Sequence, residues 1–229
     1  SQGKTTFMLN LKNRLNIQGY NCVVFSVEMK AEDLVYKDLS YLSKINSLRI
    51  ESGHISDSEM LKIEEVSKKL KTDNYFYIDE SRQTADKIVF YVKQLSLKKK
   101  IDVVFLDYLT LLDVGRDRSK NEAVEETMAK LRQFAKESNI ALVILSQLNR
   151  AVEQRADKKP ILADLRDSGS IEQDANQVLF LYRPAYYFPE LEVTDIVYSN
   201  NEQVGKDNLL NVIIAKCRGG KTGDVYLEY

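Results

Sequence analysis

Three short apolar runs constrain this chain more than any other feature: CVVFSV at 22–27, IDVVFLD at 101–107 and IALVILSQ at 140–147. None alternates polar with apolar residues, so as strands they are buried on both faces and need helices above and below. Amphipathic stretches supply those helices. TTFMLNLKNRLNIQ, at 5–18, carries Phe7, Leu11 and Leu15 on one stripe, and ADKIVFYVKQLSL, at 85–97, brings Ile88, Val92 and Leu95 together. Residues 31–46, 57–71 and 119–138 read as further helices, the second with Met60, Leu61, Ile63, Val66 and Leu70 inward. NYFYID, VLFLY, LLNVIIAK and DVYLEY read as the remaining strands. The pattern predicts an α/β fold with a mainly parallel sheet and helices on both faces, as one domain over residues 1–229. Polar loops fall at 113–121, 150–160 and 190–208.

Charge narrows the functional classes. The 33 basic and 34 acidic residues leave a net charge of −1, so any nucleic-acid contact must come from local loops or from an assembly. No apolar run approaches the roughly 20 residues that span a bilayer. Cys22 sits in an apolar run and reads as core. With Cys217 it forms neither a metal spacing nor a disulfide framework, which favours a reducing, cytoplasmic setting.

The chain opens SQGKTT, and Gly3-Lys4-Thr5 are the last elements of the phosphate loop G-x-x-x-x-G-K-[ST]. The loop's first glycine would fall upstream of Ser1, so the chain is expected to start inside that loop. The triplet opens an amphipathic helix, whose N-terminal N–H groups and dipole favour phosphate. Ser1, Gln2, Gly3, Lys4, Thr5 and Thr6 are therefore candidate nucleotide contacts. Lys4 reaches for the β- and γ-phosphates, and the Thr5 hydroxyl for Mg²⁺. A plain helix start with an exposed lysine is the alternative.

A second Mg²⁺ anchor should be a carboxylate ending a buried strand, and Asp107 ends VVFLD. Glu28 follows VVFSV, and in such sheets ligands bind at the carboxyl ends of strands. Glu28 can thus face the γ-phosphate and polarise water, or simply cap the next helix. Ser146 and Gln147 end a third strand, where an amide can register the phosphate or merely occupy a loop. His54 and the LKKK run at 97–100 read as ordinary helix-end residues. Tyr186, Tyr187 and Phe188 suit either a nucleotide base or a subunit interface.

These strings converge. SQGKTTFMLN, FSVEM, VVFLDYLTLL, ALVILSQLNRAVEQRADKKP, DLRDSGSIEQDANQVLFLYR and IIAKCRGGKTGDVYLEY resemble, in order and spacing, the C-terminal motor domain of DnaB-type replicative helicases. The resemblance covers essentially the whole chain. It implies a RecA-like P-loop ATPase fold, a homo-hexameric ring, ATP and Mg²⁺ as cofactors, and movement on single-stranded DNA. It also implies an N-terminal domain and linker outside this chain, and partners such as primase and a helicase loader.

Residue by residue, the resemblance makes Lys4 and Thr5 phosphate and Mg²⁺ contacts, Asp107 the Walker B acid, Glu28 the water-activating base and Gln147 the γ-phosphate sensor. It makes Lys216 and Arg218, in AKCRGG, a finger reaching a neighbouring subunit's nucleotide. Two residues apart on a strand, they share a side, with Cys217 opposite. An edge strand decorated with cations is the alternative. DLRDSGSIEQDA is the implied DNA loop, with Arg166 for phosphate, Asp167 orienting the loop and Gly169 turning it sharply. The family more often has glutamate where Asp167 stands. A helix entry capped by Ser170 fits the same string. The loop lacks stacking aromatics, so backbone tracking is expected. The competing functions are a recombinase or repair ATPase of the same fold, and a non-catalytic ring or loader-binding paralogue.

Overall fold

The computed structural model describes residues 2–72, 74–81, 83–107, 120–188 and 208–228. Those residues gather into two compact units. One holds the described parts of Thr5–Arg118 and Ala129–Ser146, the other those of Ser1–Lys4, Ser119–Met128 and Gln147–Tyr229.

The first unit is built on β1 (Cys22–Ser26), β2 (Tyr75–Ile78), β3 (Val103–Asp107) and β4 (Ala141–Ile144), all parallel in the order β2-β1-β3-β4. Every residue of β1 and β3 is buried, as their unbroken apolar runs require. Register places Cys22 between Tyr75 and Val103, and Ser26 beside Asp107. Helix α1 (Lys4–Ile17) sends Met8 and Leu9 into a core with Cys22, Val24, Leu34, Val103, Phe105 and Leu145. Burial pushes the Cys22 thiol up to about 12, so it is an inert core residue.

Other expectations are revised. IALVILSQ is not a buried strand: among the described residues β4 is the sheet's edge, and it stays half-exposed. The helix expected over 31–46 stops early. Helix α2 (Ala31–Ser43) ends at Lys44, which takes a left-handed φ of 60°, and a short α3 (Ser47–Glu51) restarts behind Asn46, whose side chain accepts from Leu48 N at 2.9 Å. On α4 (Asp57–Thr72), Ile63 and Leu70 are buried, but Met60 and Leu61 are exposed, because the inward stripe follows the 63/66/70 spacing. Helix α5 (Ala85–Ser96) buries Ile88 and Val92 as expected. Residues 129–138 of α6 (Lys120–Ser138) also belong to this unit.

The buried face of α1 is Met8, Leu9, Lys12 and Asn13, with the expected stripe of Phe7, Leu11 and Leu15 only half-buried, and that face hides a lysine. Lys12 is wholly buried, ion-paired to Asp38 of α2 and hydrogen-bonded to the Tyr77 hydroxyl at 2.8 Å. Tyr77 in turn donates to Asp38 at 2.6 Å, and Asn13 Nδ2 to the same carboxylate at 2.9 Å. Burial and the Asp38 charge push the Tyr77 phenol above its ordinary range.

The second unit carries a separate antiparallel sheet, β5-β6-β7, from β5 (Gln177–Tyr182), β6 (Leu209–Cys217) and β7 (Gly223–Glu228). The parallel expectation therefore holds for four strands and not for the last three. β5 buries Val178, Phe180 and Tyr182 alternately, while every residue of β7 is exposed. Two short helices, α7 (Gly169–Asp174) and α8 (Pro184–Tyr187), flank β5 in sequence. No helix among the described residues is long and apolar enough to cross a membrane. The loop expectations at 113–119 and 190–207 lie outside the described residues.

Candidate functional site

The end of the phosphate loop has the backbone its sequence needs. Gly3 adopts φ 83°, a left-handed conformation open to glycine, and Lys4 then opens α1. The Thr5 hydroxyl donates to Asp107 Oδ2 at 2.8 Å across 102 residues of sequence. Asp107 is only 2% exposed, the last residue of a fully buried strand. A hydroxyl and a carboxylate in contact beside the N-terminus of a helix form a hard-oxygen donor set of the kind Mg²⁺ takes alongside phosphate oxygens and waters. Among the described residues no cluster of three or more His, Cys, Asp or Glu offers a rival metal site.

The other loop residues are placed differently. The Gln2 side-chain oxygen accepts from Arg183 N at 3.1 Å. It also bonds the Tyr187 hydroxyl, whose pKa burial raises and that bond opposes. Tyr187 stacks on Tyr182 with 6.1 Å between centroids. The Thr6 carbonyl accepts from Asn10 within α1 at 2.9 Å. Ser1 lies outside the described residues.

Glu28 is exposed in the turn between β1 and α2. That turn is tied to Asp107: Val27 N donates to the Asp107 carbonyl at 2.9 Å, continuing the ladder beyond the Ser26–Asp107 pair. The three candidates Thr5, Asp107 and Glu28 thus belong to one end of one sheet. Glu28 does not cap α2, whose N-cap is Lys30 with no side-chain hydrogen bond. Gln147 lies three residues past β4 and is exposed.

Lys216, on β6, and Arg218, in the turn just past it, reach the same helix. Lys216 Nζ donates to the Glu172 and Gln173 carbonyls at 2.5 and 3.3 Å, and Arg218 Nη2 to Gln173 O at 2.5 Å. Those carbonyls end α7, where cations complement the dipole and orphan acceptors need donors. A register shift between Val178 and Leu179 on the partner strand adjoins this place. A Cβ at Gly220 would meet Cys217 Sγ at 2.8 Å, so a larger residue there would have to turn the cysteine side chain aside.

Arg166 and Asp167 lie in a 3₁₀ turn, Leu162–Ser168, and Gly169 opens α7 instead of making a free sharp turn. Ser170 falls inside that helix and so is not its cap. The turn is anchored by residues that the sequence did not single out as a pair. Arg155 grips Asp164 with two bonds of 2.7 Å, and Asp164 also accepts from Ile161 N at 2.8 Å. Burial alone would raise the Asp164 carboxyl, but the Arg155 and Ile161 hydrogen bonds outweigh it and hold it below its ordinary value. No spacing rule pairs residues nine apart in a loop, so this bond had no sequence signal.

Comparison with known proteins gives these placements a context. The model of the DnaB-like helicase C terminal domain family matches residues 1–229. A probable replicative DNA helicase of Trieres chinensis is 37% identical over 234 residues, covering 100% of this chain and 49% of that protein. The replicative DNA helicase DnaB of Rickettsia prowazekii is 35% identical over 245 residues, covering 100% of this chain and 50% of its own length. One solved ATPase domain superposes with a TM-score of 0.90 at 30% identity, covering 100% of this chain and 78% of that one. A structure of a DnaB-like replicative helicase and its interactions with primase gives the same TM-score and identity, covering 100% of this chain and 53% of that one. The chain spans about half the length of the replicative helicases it matches.

Proposed function

The chain belongs to the DnaB-like helicase C-terminal domain family and has its RecA-like α/β fold, and from that premise we propose that it is the ATP-hydrolysing motor of a hexameric replicative DNA helicase. The observation that carries the proposal is the Thr5–Asp107 hydrogen bond. It joins the start of the phosphate-loop helix to the end of a buried strand, beside the turn that bears Glu28.

In this reading ATP lies against Gly3, Lys4 and Thr6, and Lys4 meets the β- and γ-phosphates. Thr5 and Asp107 hold Mg²⁺, which when bound neutralises charge on the phosphates. Glu28 accepts a proton from the attacking water. Gln147 contacts the γ-phosphate. Lys216 and Arg218 leave the α7 carbonyls for the nucleotide of a neighbouring subunit, exchanging neutral acceptors for stronger charged ones. A guanidinium supplied in this way is worth roughly 10³–10⁵-fold in rate. Because those carbonyls belong to the helix that Gly169 opens, the exchange reaches the segment carrying Arg166 and Asp167. Arg166 contacts phosphates of single-stranded DNA, which suits a motor indifferent to base sequence.

The whole protein, with an N-terminal part outside this chain, would work in the cytoplasm with primase and a loader. The test is ATP hydrolysis by the intact protein with and without single-stranded DNA. Arg218→Ala should abolish DNA-stimulated turnover while nucleotide binding persists; unchanged turnover would sink the assignment in trans. Arg166→Ala should weaken single-strand binding and reduce its salt slope by about one unit. An identical slope would argue against a phosphate contact there.

A further inference from the structure

We propose that Asp79 is a positioning residue for Glu28, an inference that rests on the reading of Glu28 as the base. Between Ser26 and Ala31 the chain crosses from β1 to α2 in four residues, with Glu28 second among them. Both ends of that span are pinned. At the near end Val27 N bonds Asp107 O at 2.9 Å. The Ser26 hydroxyl donates to Met29 O at 2.7 Å and accepts from Met29 N at 3.1 Å, folding the turn back on its own strand. At the far end, the N-cap of α2, Lys30, makes no side-chain cap, which leaves the helix's first N–H groups in need of an acceptor. Asp79, just past the end of the neighbouring strand β2, provides it: the carboxylate accepts from Ala31 N at 2.8 Å.

Asp79 is held in its turn. Gln83 is 2% exposed, and its amide nitrogen reaches Ile78 O at 3.1 Å and Ser26 O at 3.4 Å, joining the last residues of β2 and β1. Its oxygen is buried without a hydrogen-bond partner among the described residues. Such an orphan is costly and calls for a reason, and the clasp between the two strand ends is one. The result is a short frame: on one side Gln83 holds Ile78, whose chain neighbour Asp79 holds Ala31, and on the other Asp107 holds Val27, with Glu28 between them in sequence. A general base must sit within hydrogen-bond reach of its water. Displacing a catalytic group by about 1 Å can cost on the order of 100-fold in rate.

Asp79 is exposed and Leu34 and Leu39 anchor α2 in the core, so losing the bond should leave the fold intact. The experiment measures ATP hydrolysis by the intact protein carrying Asp79→Ala, Asp79→Asn or Glu28→Gln. Asp79→Ala should lower kcat at least about tenfold with KM for ATP unchanged. Asp79→Asn, which keeps an acceptor oxygen, should restore most of the turnover. An Asp79→Ala enzyme with normal kcat, beside a crippled Glu28→Gln, overturns the positioning role alone. A rise in KM without loss of kcat overturns it too, as does an Asn variant no better than Ala. Full activity of Glu28→Gln would instead overturn the assignment of the base, and the positioning role with it.

Discussion

The two sheets of this chain are held together in opposite ways. In β2-β1-β3-β4 the central strands are buried along their whole length, and the acids at issue emerge only where those strands stop. In β5-β6-β7 burial alternates or vanishes, and the cations at issue lie at the end of β6 and in the turn after it, fastened to helix carbonyls by hydrogen bonds. The first arrangement fixes Asp107 to within the tolerance of a packed core. The second leaves Lys216 and Arg218 with partners that a phosphate can replace. A motor of the proposed kind needs both: one set of groups that stays still around a nucleotide, and another that changes partners.

Perturbing each sheet should expose the contrast. Phe105→Ala, at a fully buried site in β3, should cost about 3–5 kcal/mol. Asp38→Ala belongs to the same class, because it strands the buried Lys12 ammonium, and should cost about 3–5 kcal/mol. Replacing both partners with Met and Leu should recover nearly all of it. Chemical denaturation measures each.

In the second unit the largest expected polar effect is smaller. Asp164→Ala should cost about 2 kcal/mol, between the ranges for exposed and buried pairs. Its pH dependence has a definite sign. The Asp164 carboxyl is held below its ordinary value in the folded chain, so the pair's stabilisation is complete above the unfolded pKa of about 3.9 and is lost as pH falls through the folded value. The gap between wild type and Asp164→Ala should therefore be constant from neutral pH to about 5 and close below about 4. A gap that widens on acidification would refute the direction of the shift. Smallest of all, Val225→Ala on the exposed β7 should change stability by no more than about 0.5 kcal/mol.

How much of this was legible follows the same division. Strands buried on both faces announce themselves as unbroken apolar runs, so β1 and β3, and the acids following or ending them, could be read directly. β4 carries the same pattern yet lies at an edge, because the order of strands in a sheet is not written in the composition of any one of them. The antiparallel pairing of β5 to β7 was missed for a related reason: an apolar run names a strand, not its direction. Lys12 was invisible since a lysine on a helix reads as solvent-facing until its acid, 26 residues away, is known. The Arg155–Asp164 and Asp79–Ala31 bonds each have a loop residue as one partner, and periodicity has nothing to say about loops. Thr5 and Asp107 were nameable from motifs, while their contact is a property of the folded sheet.

The most direct test of the central claim is ATP hydrolysis by the intact protein, titrated with Mg²⁺, for wild type and Asp107→Asn. If Thr5 and Asp107 hold the metal of a working nucleotide site, wild-type turnover should rise steeply with Mg²⁺, and Asp107→Asn should lose on the order of 100-fold or more in kcat. Equal turnover in the two proteins across the titration would contradict the claim.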